Sequence, residues 1–106
     1  MPPVAAVDRA AASLRLLADP TRMRVLWALS GGESNVGRLA ELAGASPSAV
    51  SQHLAKLRLA GLVGTRRQGS FIYYSVADAH VSRLLAAVVD HAAHGPSPGV
   101  VAPEPG

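Results

Sequence analysis

The chain has 106 residues, a formal net charge of +3 and 49% hydrophobic residues, which fits one domain with a modest core, small enough that burying a second interface helps it. It has no cysteine, which excludes disulfides, thiolate metal sites and thiol redox sensing and leaves histidine and carboxylate as the strong metal ligands. No apolar run approaches the roughly eighteen residues of a membrane span, and Met1-Pro2-Pro3-Val4 lacks the basic and apolar regions of a secretory signal; the expectation is a cytoplasmic protein with no membrane partner.

A helical period runs from Val7 to Leu17 on Ala10, Leu14 and Leu17, and stops at Asp19-Pro20, where aspartate before proline marks a new helix start. That second helix carries Met23, Val25, Leu26 and Leu29 to the Gly31-Gly32 break. Ser34 or Asn35 then caps a short third helix on Val36, Leu39, Ala40 and Ala43, ending at Gly44. Ser46-Pro47 opens a fourth after a tight turn, with Val50, Leu54 and Leu57 repeating up to Gly61.

Two short helices joined so tightly predict a helix-turn-helix with the second as reading helix. Turning Val50, Leu54 and Leu57 inward leaves Ser48, Ser51, Gln52, His53, Lys56 and Arg58 outside. Hydroxyls, an amide and cations suit phosphates and base edges in a major groove. Between Ser46 and Ala77 there is no acidic residue, while Lys56, Arg58, Arg66 and Arg67 are all basic. Such a surface suits an anionic partner such as double-stranded DNA, although a plain solvated face has the same composition.

Leu62 to Arg67 and Ser70 to Val76 are rich in Val, Thr, Ile and Tyr and flank Gln68-Gly69, which predicts a hairpin, or wing. Arg66 and Arg67 at its tip are expected to reach the phosphate backbone or a narrow minor groove. Ser46 at the helix cap and Gln68 at the turn complete the expected DNA surface. Tyr73 and Tyr74 are expected to serve packing rather than base stacking.

The last helical segment starts near Asp78 and carries Val81, Leu84, Leu85, Val88 and Ala92 at coiled-coil-like spacing, with small Ala86 and Ala87 where an antiparallel pair would cross. Asp78, His80, His91 and His94 lie on it. At 1.5 Å per residue His80 and His91 stand roughly 16 Å apart, too far for one ion within one chain. Packed antiparallel, two copies bring the Asp78/His80 end of one to the His91/His94 end of the other, making two four-ligand sites of Asp plus three His, a set that satisfies a tetrahedral divalent ion. The competing reading is that histidines gather at a helix end because they suit its carbonyls and dipole, which covers His91 and His94 but not Asp78 and His80.

The expected fold is therefore mainly α with a small β-hairpin (α+β), a winged helix-turn-helix with a helical dimer interface. Its expected parts are a flexible N-terminal arm at 1–6, the DNA-binding and dimerisation domain at 7–94, and a disordered Pro/Gly-rich tail at 95–106. Across about residues 10 to 94 the chain resembles the ArsR/SmtB family of winged-helix metal-sensing repressors. The resemblance rests on Leu17-Ala18-Asp19-Pro20-Thr21-Arg22 with Val25-Leu26, on Ser48 to Leu54 followed by Leu57 and Gly61-Leu62-Val63, and on Gly69 through Ser75. Its most specific element is Asp78-x-His80 followed after ten residues by His91-x-x-His94; the cysteine-bearing site that many members place on the third helix is absent.

The resemblance implies a homodimer, not an enzyme, that holds operator DNA without metal and releases it when the sites on the final helix fill. Four N/O donors favour zinc, with nickel or cobalt open if water, Asp8, a terminal amine or the tail adds donors. The alternative is a regulator of the same family switched by a partner protein or other ligand, with incidental histidines. A small zinc hydrolase and a pure dimerisation module are weaker rivals, since no nucleophile or pocket-forming loop is legible.

Overall fold

The computed structural model describes residues 1–95; the tail expected at 95–106 lies, from residue 96 onward, outside the described residues. Five helices and one hairpin follow in the order α1 (Val4–Leu17), α2 (Pro20–Ser30), α3 (Val36–Ala43), α4 (Pro47–Leu59), β1 (Val63–Gln68), β2 (Phe71–Val76) and α5 (Ala79–His94). Among the described residues this is mainly α with one two-stranded antiparallel sheet.

Local chemistry explains most boundaries. Asp19 caps α2 by accepting the Arg22 N–H at 2.9 Å, and Pro20 takes the first helical position, where a missing N–H costs nothing. Asn35 caps α3 through the Arg38 N–H at 2.9 Å, and Ser46 caps α4 through the Ala49 N–H at 3.1 Å. Gly44 at φ 65° turns the chain left-handed between α3 and α4, a conformation that a side chain would strain. That single residue makes the tight turn of the helix-turn-helix.

Two expected boundaries move. The first helix starts at Val4, so Val4 to Ala6 are helical rather than part of the arm expected at 1–6; the Pro3 carbonyl accepts from Ala6 at 3.0 Å and Val7 at 3.1 Å. The sequence pattern hides this because Val4 and Val7 bury little within one chain, being 77% and 48% exposed. In the wing, Gln68 ends β1 and pairs with Phe71, so the two-residue loop is Gly69-Ser70 rather than Gln68-Gly69, with Gly69 at φ 61°.

The core gathers Leu17, Val25, Leu26, Leu29, Leu39, Val50, Leu54, Leu57, Leu62, Val63 and Leu85 from all five helices and the hairpin base, and it contains no buried polar or charged residue among the described ones. The α2–α3 loop joins the wing: Ser34 and Tyr74 exchange both backbone hydrogen bonds, at 3.0 and 2.7 Å. Tyr74 packs on the core, as expected of it.

The α5 positions expected to form one interface stripe divide into two. Leu85 is fully buried in the chain's own core, with Val81 and Val89 packed beside it. Leu84 and Val88 stay 40% and 42% exposed and, with Leu14 of α1, line a shallow cleft of about 180 Å³. The helix thus has one apolar face satisfied within the chain and a second left open, a wider stripe than a strict coiled-coil seam.

Candidate nucleic-acid interface and effector residues

On α4 the buried side is set by Val50, Leu54 and Leu57, each 0% exposed. The opposite side presents Ser48, Ser51, Gln52 and Lys56 to solvent, positions separated by three or four residues and therefore in one row. Arg58 is also exposed and leans to the wing side, sharing a cleft with Ser51 and Tyr74. The Ser46 hydroxyl is committed to its cap.

His53 departs from the expected face. Its side chain is 21% exposed and turns to the head of α2, with Nε2 4.0 Å from Asp19 Oδ2 and Nδ1 3.5 Å from Arg22 Nη1. Helical geometry requires this, because His53 lies about 100° around the helix from Gln52, at the edge of the buried side. The Asp19 carboxyl is held below its usual value, chiefly by the Arg22 backbone N–H it accepts and then by the nearby charge of Arg22.

The two wing arginines are not equivalent. Neighbouring strand residues point to opposite faces, so Arg66 lies over Tyr73, its guanidinium carbon 4.8 Å from the ring centroid, while Arg67 points to the other face; both are exposed, and Arg67 has no ion pair among the described residues. Arg66 donates to both oxygens of Glu33, at 2.8 and 2.5 Å, and to Gln68 Oε1 at 2.9 Å. The hydrogen bond from Arg66 lowers the Glu33 pKa from the ordinary value, and Glu33 in turn raises that of Arg66. Arg66 and Gln68, expected to face DNA, are instead spent on fixing the wing against the α2–α3 loop; only Arg67 remains a free cation at the tip. Glu33 is missed by sequence reading because its partner lies 33 residues away.

The four expected metal ligands fall into two separated pairs. Asp78 caps α5, its Oδ1 accepting from His80 N at 2.9 Å and Val81 N at 3.2 Å, with His80 Nδ1 3.4 Å from the same oxygen. This leaves Asp78 Oδ2 and His80 Nε2 uncommitted. At the other end His94 Nδ1 meets the Asp90 carbonyl at 2.7 Å and its carboxylate at 3.3 Å, so the ring donates there and presents Nε2 outward. His91 is exposed one turn before His94. No group of three or more ligating side chains comes together among the described residues. Each end of α5 therefore holds two exposed side chains able to ligate, and neither end holds a complete set. Asp90, four residues before His94, is the residue the sequence reading passed over, though its i, i+4 spacing shows the contact.

A tight helix-turn-helix followed by a hairpin fixed to the α2–α3 loop defines a winged-helix domain of the DNA-binding class. Residues 19–65 match the family described as bacterial regulatory protein, arsR family. The HTH-type transcriptional regulator KmtR of Mycobacterium tuberculosis is 49% identical over 86 residues, 81% of this chain and 65% of that protein, so the match spans just under two thirds of that relative's length. The transcriptional repressor SmtB homolog of Synechocystis is 44% identical over 93 residues, covering 85% and 70% of the two chains. In the solution NMR structure of the homodimeric winged helix-turn-helix DNA-binding domain of Mb0332 from Mycobacterium bovis the fold recurs with a TM-score of 0.78 at 34% identity, over 85% of this chain and 83% of that one. The chain belongs to the ArsR family of transcriptional regulators.

Proposed function

We propose that the protein is a cytoplasmic, metal-responsive repressor that holds operator DNA as a homodimer and lets go when a divalent transition ion, zinc or else nickel or cobalt, fills sites shared between two α5 helices. The carrying observation is the pair of outward-facing half-sites at opposite ends of α5, on a helix whose Leu84 and Val88 face is left open. Asp78 and His80 of one copy with His91 and His94 of a second give four N/O donors without sulfur, a set suited to tetrahedral zinc. What the ion supplies when bound is a rigid link between chains. What the chain supplies is orientation: the Asp78 cap and the Asp90 carbonyl fix the donors before binding.

Groove reading in this proposal is carried by Ser48, Ser51, Gln52, Lys56, Arg58 and Arg67, with Ser46, Gln68, His53 and Arg66 holding those elements in place. A dimer must set its two α4 helices about 34 Å apart to enter successive major grooves, and the angle between α5 helices controls that distance. Linkage is reciprocal: a coupling of ~3 kcal/mol changes occupancy over a hundredfold in either direction.

Fluorescence anisotropy on a labelled duplex from the region upstream of the protein's own gene, titrated with each metal, tests this. His91→Ala should keep DNA binding and lose metal-driven release; a variant that still dissociates normally with metal refutes the assignment. Metal affinity should also fall on acidification through the range where imidazoles gain a proton, because only neutral rings ligate.

One observation favours a second reading, a switch by an organic ligand or partner protein. Trp27 is 51% exposed and, with Met23, Ala28, Leu42 and Val89, lines an open groove of about 570 Å³. A dimer indifferent to zinc, nickel and cobalt would select that reading.

A further inference from the structure

A reading helix held only by Val50, Leu54 and Leu57 would be free to roll, because apolar burial is not directional. The tolerance is small: at a side-chain radius of about 5–6 Å, a roll of 20° displaces a contacting atom by roughly 2 Å, enough to lose a hydrogen bond to a base. Packing and the Gly44 turn restrict this roll, and a directional contact would narrow it further. Among the described residues, the only side-chain hydrogen bond or ion pair that links α4 to another element is at His53, through Arg22 and Asp19.

The chemistry of these three groups defines their roles. Arg22 is anchored at both ends of its contact: its Nε donates to the Leu16 carbonyl at 2.8 Å and its backbone N–H to Asp19 at 2.9 Å. A guanidinium has only donors, so at the 3.5 Å contact with Arg22 Nη1 the imidazole Nδ1 must accept. In the neutral tautomer with its proton on Nε2, the ring accepts from Arg22 at Nδ1 and directs its N–H toward the Asp19 carboxylate 4.0 Å away. The charged groups that face the ring are Arg22 and Asp19, both at the head of α2; α1 contributes only the Leu16 carbonyl behind Arg22. The end of α1, the cap of α2 and the adjacent residue to Gln52 on α4 are thereby tied at one point.

We propose that His53 is a positioning residue for sequence recognition: bridging Arg22 and Asp19, it sets the roll of α4 so that Ser48, Ser51 and Gln52 meet base edges, and it does so only as a neutral ring. A proton on Nδ1 removes the acceptor and sets a cation against the Arg22 guanidinium. Discrimination between sequences is therefore lost on acidification, while general attraction to phosphate, which depends on Lys56, Arg58 and Arg67, persists. The proposal rests on the assignment of α4 as the reading helix.

The test uses the full chain, with chelator present so that metal plays no part. A duplex enriched by the wild-type protein from a random-sequence pool is compared with a scrambled duplex of the same composition, and the ratio of the two Kd values is measured at pH 7.5 and 5.5. His53→Leu should lower the ratio about tenfold at pH 7.5 and leave scrambled-duplex affinity within about twofold. His53→Gln, whose amide both accepts and donates, should keep most of the ratio and remove its pH dependence, whereas the wild-type ratio should fall several-fold at pH 5.5. A His53→Leu protein with the full ratio overturns the proposal, as does an equal loss on both duplexes, which marks a merely structural role. If His53→Leu does not fold, the wild-type and His53→Gln pH profiles decide: parallel profiles overturn the proposal. A wild-type protein that enriches no sequence overturns the reading-helix assignment as well.

Discussion

The DNA-facing half of the molecule closes within one chain, and the effector half does not. Around α4 and the wing, each supporting contact has its partner in the same chain: Ser46 its cap, Arg66 its carboxylate, His53 its guanidinium, and Leu54 and Leu57 a full burial. Along α5 the reverse holds. Leu84 and Val88 are open, and Asp78, His80, His91 and His94 stand in two pairs at opposite ends of a 16-residue helix. A surface that must dock on a rigid duplex gains from being preorganised, since ordering it on binding would cost affinity. The site proposed for the ends of α5 would gain from being incomplete in each chain, since completion would then be the signal.

Core substitutions expose the contrast most strongly. Leu57→Ala removes a fully buried side chain beneath the reading helix and should lower stability by about 2–5 kcal/mol. Leu84→Ala, on the open face of α5, should cost each chain less than about 1 kcal/mol, in line with surface substitutions, yet weaken self-association. Denaturant midpoints and sedimentation mass for both variants check this; equal stability losses would break the contrast. Smaller effects follow on the DNA side. Gln52→Ala should weaken operator binding by about 1–3 kcal/mol and alter base preference. Arg67→Ala should weaken all sequences alike and reduce the salt slope by about 1, whereas Arg66→Ala should not show that simple one-phosphate loss. Binding curves at several salt concentrations separate the three.

What was legible in the sequence was local. Asp19-Pro20, Asn35, Gly44, Ser46-Pro47 and Asp78 each act on residues within a turn, and the structure uses them at those positions. Helical period located the buried faces of α2, α3 and α4 for the same reason. The residues misplaced on the expected DNA surface are those with distant partners: His53 with Arg22 lies 31 residues away and Arg66 with Glu33 lies 33. No spacing rule carries such pairs, because they depend on how helices are arranged rather than on which face they present. The start of α1 escaped for a related reason, its apolar residues having no partner within the chain to give the period meaning. The pairing of α5 ends is a relation between two chains, which neither the spacing along one helix nor the structure of one chain contains.

The smallest effect concerns the clamp that keeps Arg66 from DNA. Glu33 is depressed from its ordinary value of 4.5 because Arg66 donates to it. A carboxylate lowered in the folded state binds protons less readily there than in the unfolded chain, so it stabilises the fold above the unfolded value, and that stability is lost as the pH falls through the folded one. The window therefore lies below about 4.5 and is invisible at neutral pH. Glu33→Gln lacks the charge, so the stability gap between wild type and variant should narrow as the pH falls below about 4.5, measured as denaturant midpoints. The effect should be modest, since both partners are well exposed to solvent, with side chains 50% and 41% accessible. At neutral pH the variant has a second consequence, because Arg66 without its carboxylate is a free cation beside Arg67. Nonspecific DNA affinity should then rise and the salt slope steepen toward one further phosphate contact. A Glu33→Gln protein with unchanged salt dependence would mean that Tyr73 and Gln68 suffice to keep Arg66 out of reach without the Glu33 carboxylate.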